Sequence, residues 1–163
     1  MRQRDTTDVS LASKDGFLLK LELLSDPKLL FVVRGALERL TEVFGFSPPD
    51  RRSVTRAVDE ALTNIMRHCY NGQTDQPIEL CCSRVPSRSS EQADGLEILL
   101  CDRGPAIDPA KLRGRRLDEI KPGGLGLHFI RQSMDTVEYR RVGTINQFRL
   151  VKYLQPTKQS QTP

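Results

Sequence analysis

Glu60 and Asn64 stand four residues apart in a stretch whose apolar residues Val54, Val58, Ala61, Leu62 and Ile65 recur at helical spacing. The two polar side chains therefore share one helix face, a turn apart, beside the apolar arc and flanked by Arg56 and Arg67. A carboxylate there can take a proton from water or a hydroxyl, and an amide oxygen one turn later can ligate Mg2+ without adding negative charge near a polyphosphate. Spacing alone leaves open an ordinary solvated face with an Arg56–Glu60 ion pair. A second acid, Asp102, follows an apolar run and precedes Arg103-Gly104. Fixed at a strand end, its carboxylate can accept a hydrogen bond from an exocyclic amine such as that of adenine, while Gly104 permits close backbone approach to a flat ring. The same residues also suit a turn in which Asp102 bonds its own backbone. The third group is Gly123-Gly124-Leu125-Gly126-Leu127, three glycines leading into an apolar helix. Backbone N–H groups and the positive end of a helix dipole can approach phosphate oxygens there. A hinge with a tight packing position at Gly126 is the plainer reading. The cluster matches neither the Walker A loop nor the Rossmann fingerprint.

The elements that must position these groups read clearly. Phe17 to Leu24 alternates as a strand with a buried face. Asp26-Pro27 starts a helix that runs to about Phe44 and ends at Gly45, and Ser47-Pro48-Pro49-Asp50 connects it to a second helix from about Asp50 to Tyr70. Ile78 to Val85 and Leu96 to Cys101 are short buried strands. Asp102 to Gly124 is rich in glycine, proline and charge, a length at which irregular segments usually carry function. Helix resumes at Leu125 to Met134, and strands near Val137 to Arg141 and Thr144 to Tyr153 meet at Gly143. This order predicts an α+β, two-layer α/β sandwich: a mainly antiparallel sheet covered on one face by about three helices.

Composition narrows the function classes. With 163 residues, 37% apolar and 28% charged, the chain can build one core without metal or disulfide support. No apolar run suits a membrane span, and Met1 to Asp15 lacks the features of a secretory signal, so a cytoplasmic protein with no membrane partner is expected. Cys69, Cys81, Cys82 and Cys101 lack paired spacing and are expected as reduced thiols in or near the core. The net charge of +4 suits an anionic small ligand, and no aromatic and basic interleaving supports direct nucleic-acid binding. His68 reads as a packing residue, because no second ligand stands at helical spacing, and no metal site made of protein residues alone is expected.

Order and spacing together carry a resemblance that the separate groups do not. Glu60-Ala-Leu-Thr-Asn64, continuing to His68-Cys69-Tyr70, resembles the N-box of GHKL (Bergerat-fold) ATPases. Asp102-Arg-Gly104 with Ile107-Asp108-Pro109 resembles the first glycine box, and Gly123 to Leu127 resembles the second. His68-Cys69-Tyr70 and the run from Gly124 to Arg131, followed by Met134-Asp135, are similar to the anti-sigma-factor serine/threonine kinases (RsbW-type) of partner-switching pathways. The resemblance spans about Leu18 to Lys152. It implies ATP and Mg2+ as cofactors, Glu60 activating the acceptor hydroxyl, Asn64 helping to hold Mg2+, and Asp102 reading adenine. It further implies that Gly104, Asp108, Gly123, Gly124, Leu125, Gly126 and Leu127 line the nucleotide and that Thr144 reaches adenine through water. The implied partners are an anti-sigma-factor antagonist of STAS type and a sigma factor, with self-association as in many members. Pro105-Ala106 departs from the second glycine of many GHKL first boxes.

On this reading residues 1–15 form a disordered amino-terminal segment, 16–154 the ATP-binding kinase domain with a lid over about 104–123, and 155–163 a disordered tail. The basic residues between Lys111 and Lys121 belong either near the triphosphate or to a solvated loop. Two rivals stand beside the kinase: a non-catalytic nucleotide-binding switch module of the same fold, and a detached histidine kinase catalytic domain. Against the latter, little chain precedes the domain for a phospho-acceptor helix pair, and His68 lies within the nucleotide helix itself.

Overall fold

The computed structural model describes residues 17–87, 93–106 and 125–155. The segment 1–15, the lid beyond Ala106, Asp108, Gly123, Gly124 and the tail beyond Gln155 lie outside them. The described elements are β1 (Phe17–Leu24), a short 3-10 turn (Pro27–Leu29), α1 (Leu30–Phe44), α2 (Pro48–Asn64) continuing as a π-helical turn (Ile65–Cys69), β2 (Pro77–Val85), β3 (Gly95–Asp102), α3 (Leu125–Ser133), β4 (Thr136–Val142) and β5 (Ile145–Tyr153). The strands form one antiparallel sheet in the order β1-β2-β3-β5-β4. The α+β two-layer expectation agrees with this architecture.

Local chemistry explains the helix boundaries. Asp26 accepts from the Lys28 amide at 2.9 Å, and Gly45 ends α1 at φ 100°, where a side chain would be strained. The second helix starts earlier than its sequence suggests. Ser47 is its N-cap, donating to Asp50 Oδ2 at 2.6 Å and accepting from the Asp50 amide at 3.3 Å. Pro48 and Pro49 thus belong to the first turn, where a missing N–H leaves no intrahelical bond unmade.

The sandwich has one apolar layer. Val54, Val58 and Leu62 of α2, Leu37 of α1 and Ile130 of α3 pack with Leu80, Ile98, Leu100 and Leu150 of the sheet in a single buried cluster. Arg34 on α1 grips Asp59 on α2 with two hydrogen bonds, 2.9 and 2.7 Å, which sets the rotation of one helix on the other. The opposite sheet face is charged. Lys20 pairs with Glu22 and Glu79, and Arg149 bridges Glu97 and Glu138 over a small cluster of Cys81, Leu99 and Cys101. Charged pairs thus border a narrow buried strip on this face, while the described helices pack on the other. All four cysteines are buried free thiols, and burial pushes Cys69, Cys81 and Cys82 up to about 12. Among the described residues no helix is long and apolar enough to cross a membrane.

Candidate functional site

The site grows from the end of the central strand. Asp102 closes β3 and is buried at 4% exposure. Its Oδ1 accepts from the Gly104 amide at 2.8 Å and from Asn146 Nδ2 at 2.8 Å. The first of these is the self-bonded turn that Asp before Gly favours, so the turn and ligand readings of this residue coexist. Oδ2 has no hydrogen bond among the described residues. Burial raises the Asp102 carboxyl above its usual range, against the Asn146 and Gly104 hydrogen bonds and the Arg141 charge, which hold it down. Desolvation outweighs the donors and leaves an acceptor poor in partners.

The α2 helix supplies the opposite wall. Its π-helical turn carries Cys69 against Gly104 so closely that a Cβ on Gly104 would lie 2.6 Å from Cys69 Cβ and 3.0 Å from Cys69 O. Tyr70 then ties helix to sheet: its hydroxyl accepts from the Arg103 amide at 2.8 Å and donates to Pro77 O at 2.7 Å. π turns recur at functional sites because one extra residue re-aims the side chains around it. Nine residues back, about 13 Å along a helix axis, Glu60 meets the third group. A Cβ on Gly126 would overlap Glu60 Oε1 and lie 2.5 Å from Cδ, so the second residue of α3 sits directly against this carboxylate. Arg56 does not pair with Glu60. Its guanidinium stacks 4.6 Å over the Phe129 ring, locking α2 to α3 and leaving Glu60 without a cation among the described residues. The Arg56–Glu60 ion pair that spacing alone allowed is therefore not formed.

Gly104, bonded to Asp102, thus lies against the π turn, and Gly126 lies against Glu60 nine residues earlier on the same helix, with Asn64 between Glu60 and Cys69 in sequence. The Asn64 side chain is half-buried and makes no hydrogen bond to a described residue. Leu127 is half-buried on α3, and Leu125 begins that helix. Thr144 is exposed in the β4–β5 turn, and the β5 residue paired with Asp102 is Asn146. Sequence reasoning passed over Asn146. The signal for it was the polar pair Asn146-Gln147 inside a strand of otherwise buried character.

The chemistry of the donor set suits a nucleotide. At Gly104 and Gly126 the backbone stands where any side chain would collide with a site residue. A buried carboxylate acceptor stands at one end, and the Asn64 amide and the Glu60 carboxylate, both without a side-chain hydrogen bond among the described residues, stand toward the other. Among the described residues no cluster of His, Cys, Asp and Glu is disposed to hold a metal by itself, so a divalent ion here would need phosphate oxygens as further ligands.

Comparison with known proteins bears on the same residues. The profile of the family described as "Histidine kinase-like ATPase domain" matches residues 23–152. The serine-protein kinase RsbW of Bacillus pumilus is 26% identical over 129 residues, 74% of this chain and 76% of that protein. The serine/threonine-protein kinase BtrW of Bordetella bronchiseptica is 31% identical over 110 residues, 65% of this chain and 72% of that protein. A crystal structure of RsbU and RsbW domains from Mycobacterium tuberculosis superposes with a TM-score of 0.55 at 15% identity. The match covers 85% of this chain and 33% of that one, a likeness of fold.

Proposed function

The chain belongs to the histidine kinase-like ATPase domain family and, within it, to the RsbW-type anti-sigma-factor kinases, and from that premise we propose that it is a protein serine/threonine kinase of a partner-switching pathway. Its substrate is a serine on an anti-sigma-factor antagonist of STAS type. When that antagonist is phosphorylated, the kinase instead sequesters a sigma factor. The observation that carries the reading is the Glu60 carboxylate, without a cation among the described residues, held against Gly126 at the start of α3 and on the same helix as Asn64. A module that only bound nucleotide would gain nothing from a free carboxylate at that place.

Each residue then has a task. Asp102 Oδ2 accepts from the adenine amine, and Gly104 and Gly126 let the backbone approach. Asn64 contributes an oxygen to Mg2+. Leu125, Leu127 and Thr144 line the nucleotide, as do Asp108, Gly123 and Gly124 of the segment outside the described residues. Bound Mg·ATP supplies the γ-phosphoryl group and the divalent charge that neutralises it. Glu60 would take the proton of the attacking serine hydroxyl as its oxygen bonds to the γ-phosphorus, while the bond from that phosphorus to the bridging oxygen breaks and ADP leaves.

The substitution Glu60→Gln tests this. ATP-dependent thermal stabilisation should persist, while labelling of the antagonist serine should fall by about 10²-fold or more. Wild-type protein that binds ATP yet labels no antagonist would overturn the kinase reading in favour of the nucleotide-binding switch module.

A further inference from the structure

Asn146 lies on β5 directly across from Asp102 and is buried at 1% exposure. Its amide is fully engaged. Nδ2 donates to Asp102 Oδ1 at 2.8 Å, Pro105 O at 3.1 Å and Gly104 O at 3.2 Å, two hydrogens shared among three acceptors. Oδ1 accepts from the Tyr139 hydroxyl at 2.8 Å and from Arg141 Nη1 at 2.5 Å. Turned over, the amide would set its carbonyl against a carboxylate and two carbonyls and its NH2 against a guanidinium, which accepts nothing. The surroundings therefore fix one orientation.

That orientation decides what Asp102 presents. The terminal torsion of a carboxylate is soft, so the Gly104 amide alone would let the group rock about its one held oxygen. With Asn146 as a second donor to Oδ1 the carboxylate plane is fixed, and Oδ2 accepts no hydrogen bond among the described residues. Arg141, bonded at once to Gly104 O and Asn146 Oδ1, buttresses the arrangement from the exposed side of β4.

We propose that Asn146 is a positioning residue for base selectivity, holding Asp102 so that Oδ2 alone receives the exocyclic amine of a purine. This rests on Asp102 reading that amine, and the test separates the two ideas. Affinities for ATP and for purine riboside triphosphate, which lacks the 6-amino group, are compared in wild type and in Asn146→Ala. Wild type should prefer ATP by about tenfold or more, the scale of a hydrogen bond to a charged group. In the variant the preference should fall to within about threefold, with affinity for the amine-free nucleotide unchanged. A merely structural role would weaken both nucleotides equally and overturn the proposal, as would an undiminished preference. Wild type binding the two alike would also overturn it, and would place the failure in the role of Asp102. Should Asn146→Ala not fold, Arg141→Met removes the outer buttress from an exposed position. It should lower the preference about twofold to threefold, and no change would count against the proposal.

Discussion

Gly126→Ala isolates the contact that joins α3 to the Glu60 carboxylate, the proposed proton acceptor. The added methyl carbon would overlap Glu60 Oε1 and stand 2.5 Å from Cδ and 2.9 Å from Cγ. Ordinary carbon contacts begin near ~3.5 Å, so the head of Glu60 must retreat by about 1 Å. The neighbour that yields is the far end of a flexible side chain, and the fold should tolerate it. Alanine in place of a helical glycine stabilises by about 0.5–1 kcal/mol, and forcing one side chain off its rotamer costs about 0.5–1.5 kcal/mol. The two nearly cancel, and Tm should stay within about 3 °C of wild type. Catalysis responds differently, because a misplacement of about 1 Å costs on the order of 10²-fold. Phosphotransfer to the antagonist is measured in single turnover at saturating ATP, with ATP affinity read from ligand-dependent melting. The rate should fall about 100-fold while affinity changes less than about threefold. In Glu60→Gln the same change should add little, because the two substitutions remove one interaction. A variant that keeps its full rate at saturation but loses ATP affinity would refute the reasoning, leaving Gly126 as a place where the nucleotide passes and nothing more.

The remaining expectations concern Gly104 and Asp102. Gly104→Ala sets a methyl 2.6 Å from Cys69 Cβ and 3.0 Å from Cys69 O, atoms of the helix that cannot swing aside, so it should destabilise by about 1–3 kcal/mol in chemical denaturation, unlike Gly126→Ala. Asp102→Asn should leave the ligand-free protein at neutral pH no less stable than wild type. Burial raises the Asp102 carboxyl, so its contribution to stability is present below the unfolded chain's value and is lost as pH rises through the folded value. Titrated melting curves should therefore converge toward acid, and a variant markedly less stable at neutral pH would contradict this account. ATP affinity of wild type should move the other way, falling as the acid protonates.

How much of this was legible in the sequence depends on how local each feature is. The alternation of β1, the Asp26 cap and the Gly45 stop are local rules, and the structure follows them. Pro48-Pro49 reads as a break until Ser47 is seen to cap the helix, because proline is hostile inside a helix and harmless in its first turn. Glu60, Asp102 and Gly126 each have a plainer use when taken alone, and they stand out only because their joint order and spacing resemble the GHKL boxes. The π turn was not visible: a shift of backbone bonding from fourth to fifth neighbour carries no side-chain signature. Asn146 was hidden for another reason. Which residue of β5 opposes Asp102 is set by the register of two strands 44 residues apart in the chain, and Thr144 beside the turn drew attention because its hydroxyl follows a glycine.

The parts of the site share one physical cost. A buried acid, two glycines pressed against neighbouring side chains, a π turn and a carboxylate without a cation among the described residues each depart from the local rules that the other described elements follow. They are tolerated because α2 is anchored independently of them, through Val54, Val58 and Leu62 in the core and through the two-pronged Arg34–Asp59 pair. Glu60, Asn64 and Cys69 ride on that one rod, so the spacing between the carboxylate and the floor beneath Asp102 is set by helix geometry and not by any loop. The chain after Gly104 can then vary in sequence, as at Pro105-Ala106, without changing the separation between the Glu60 carboxylate and Asp102.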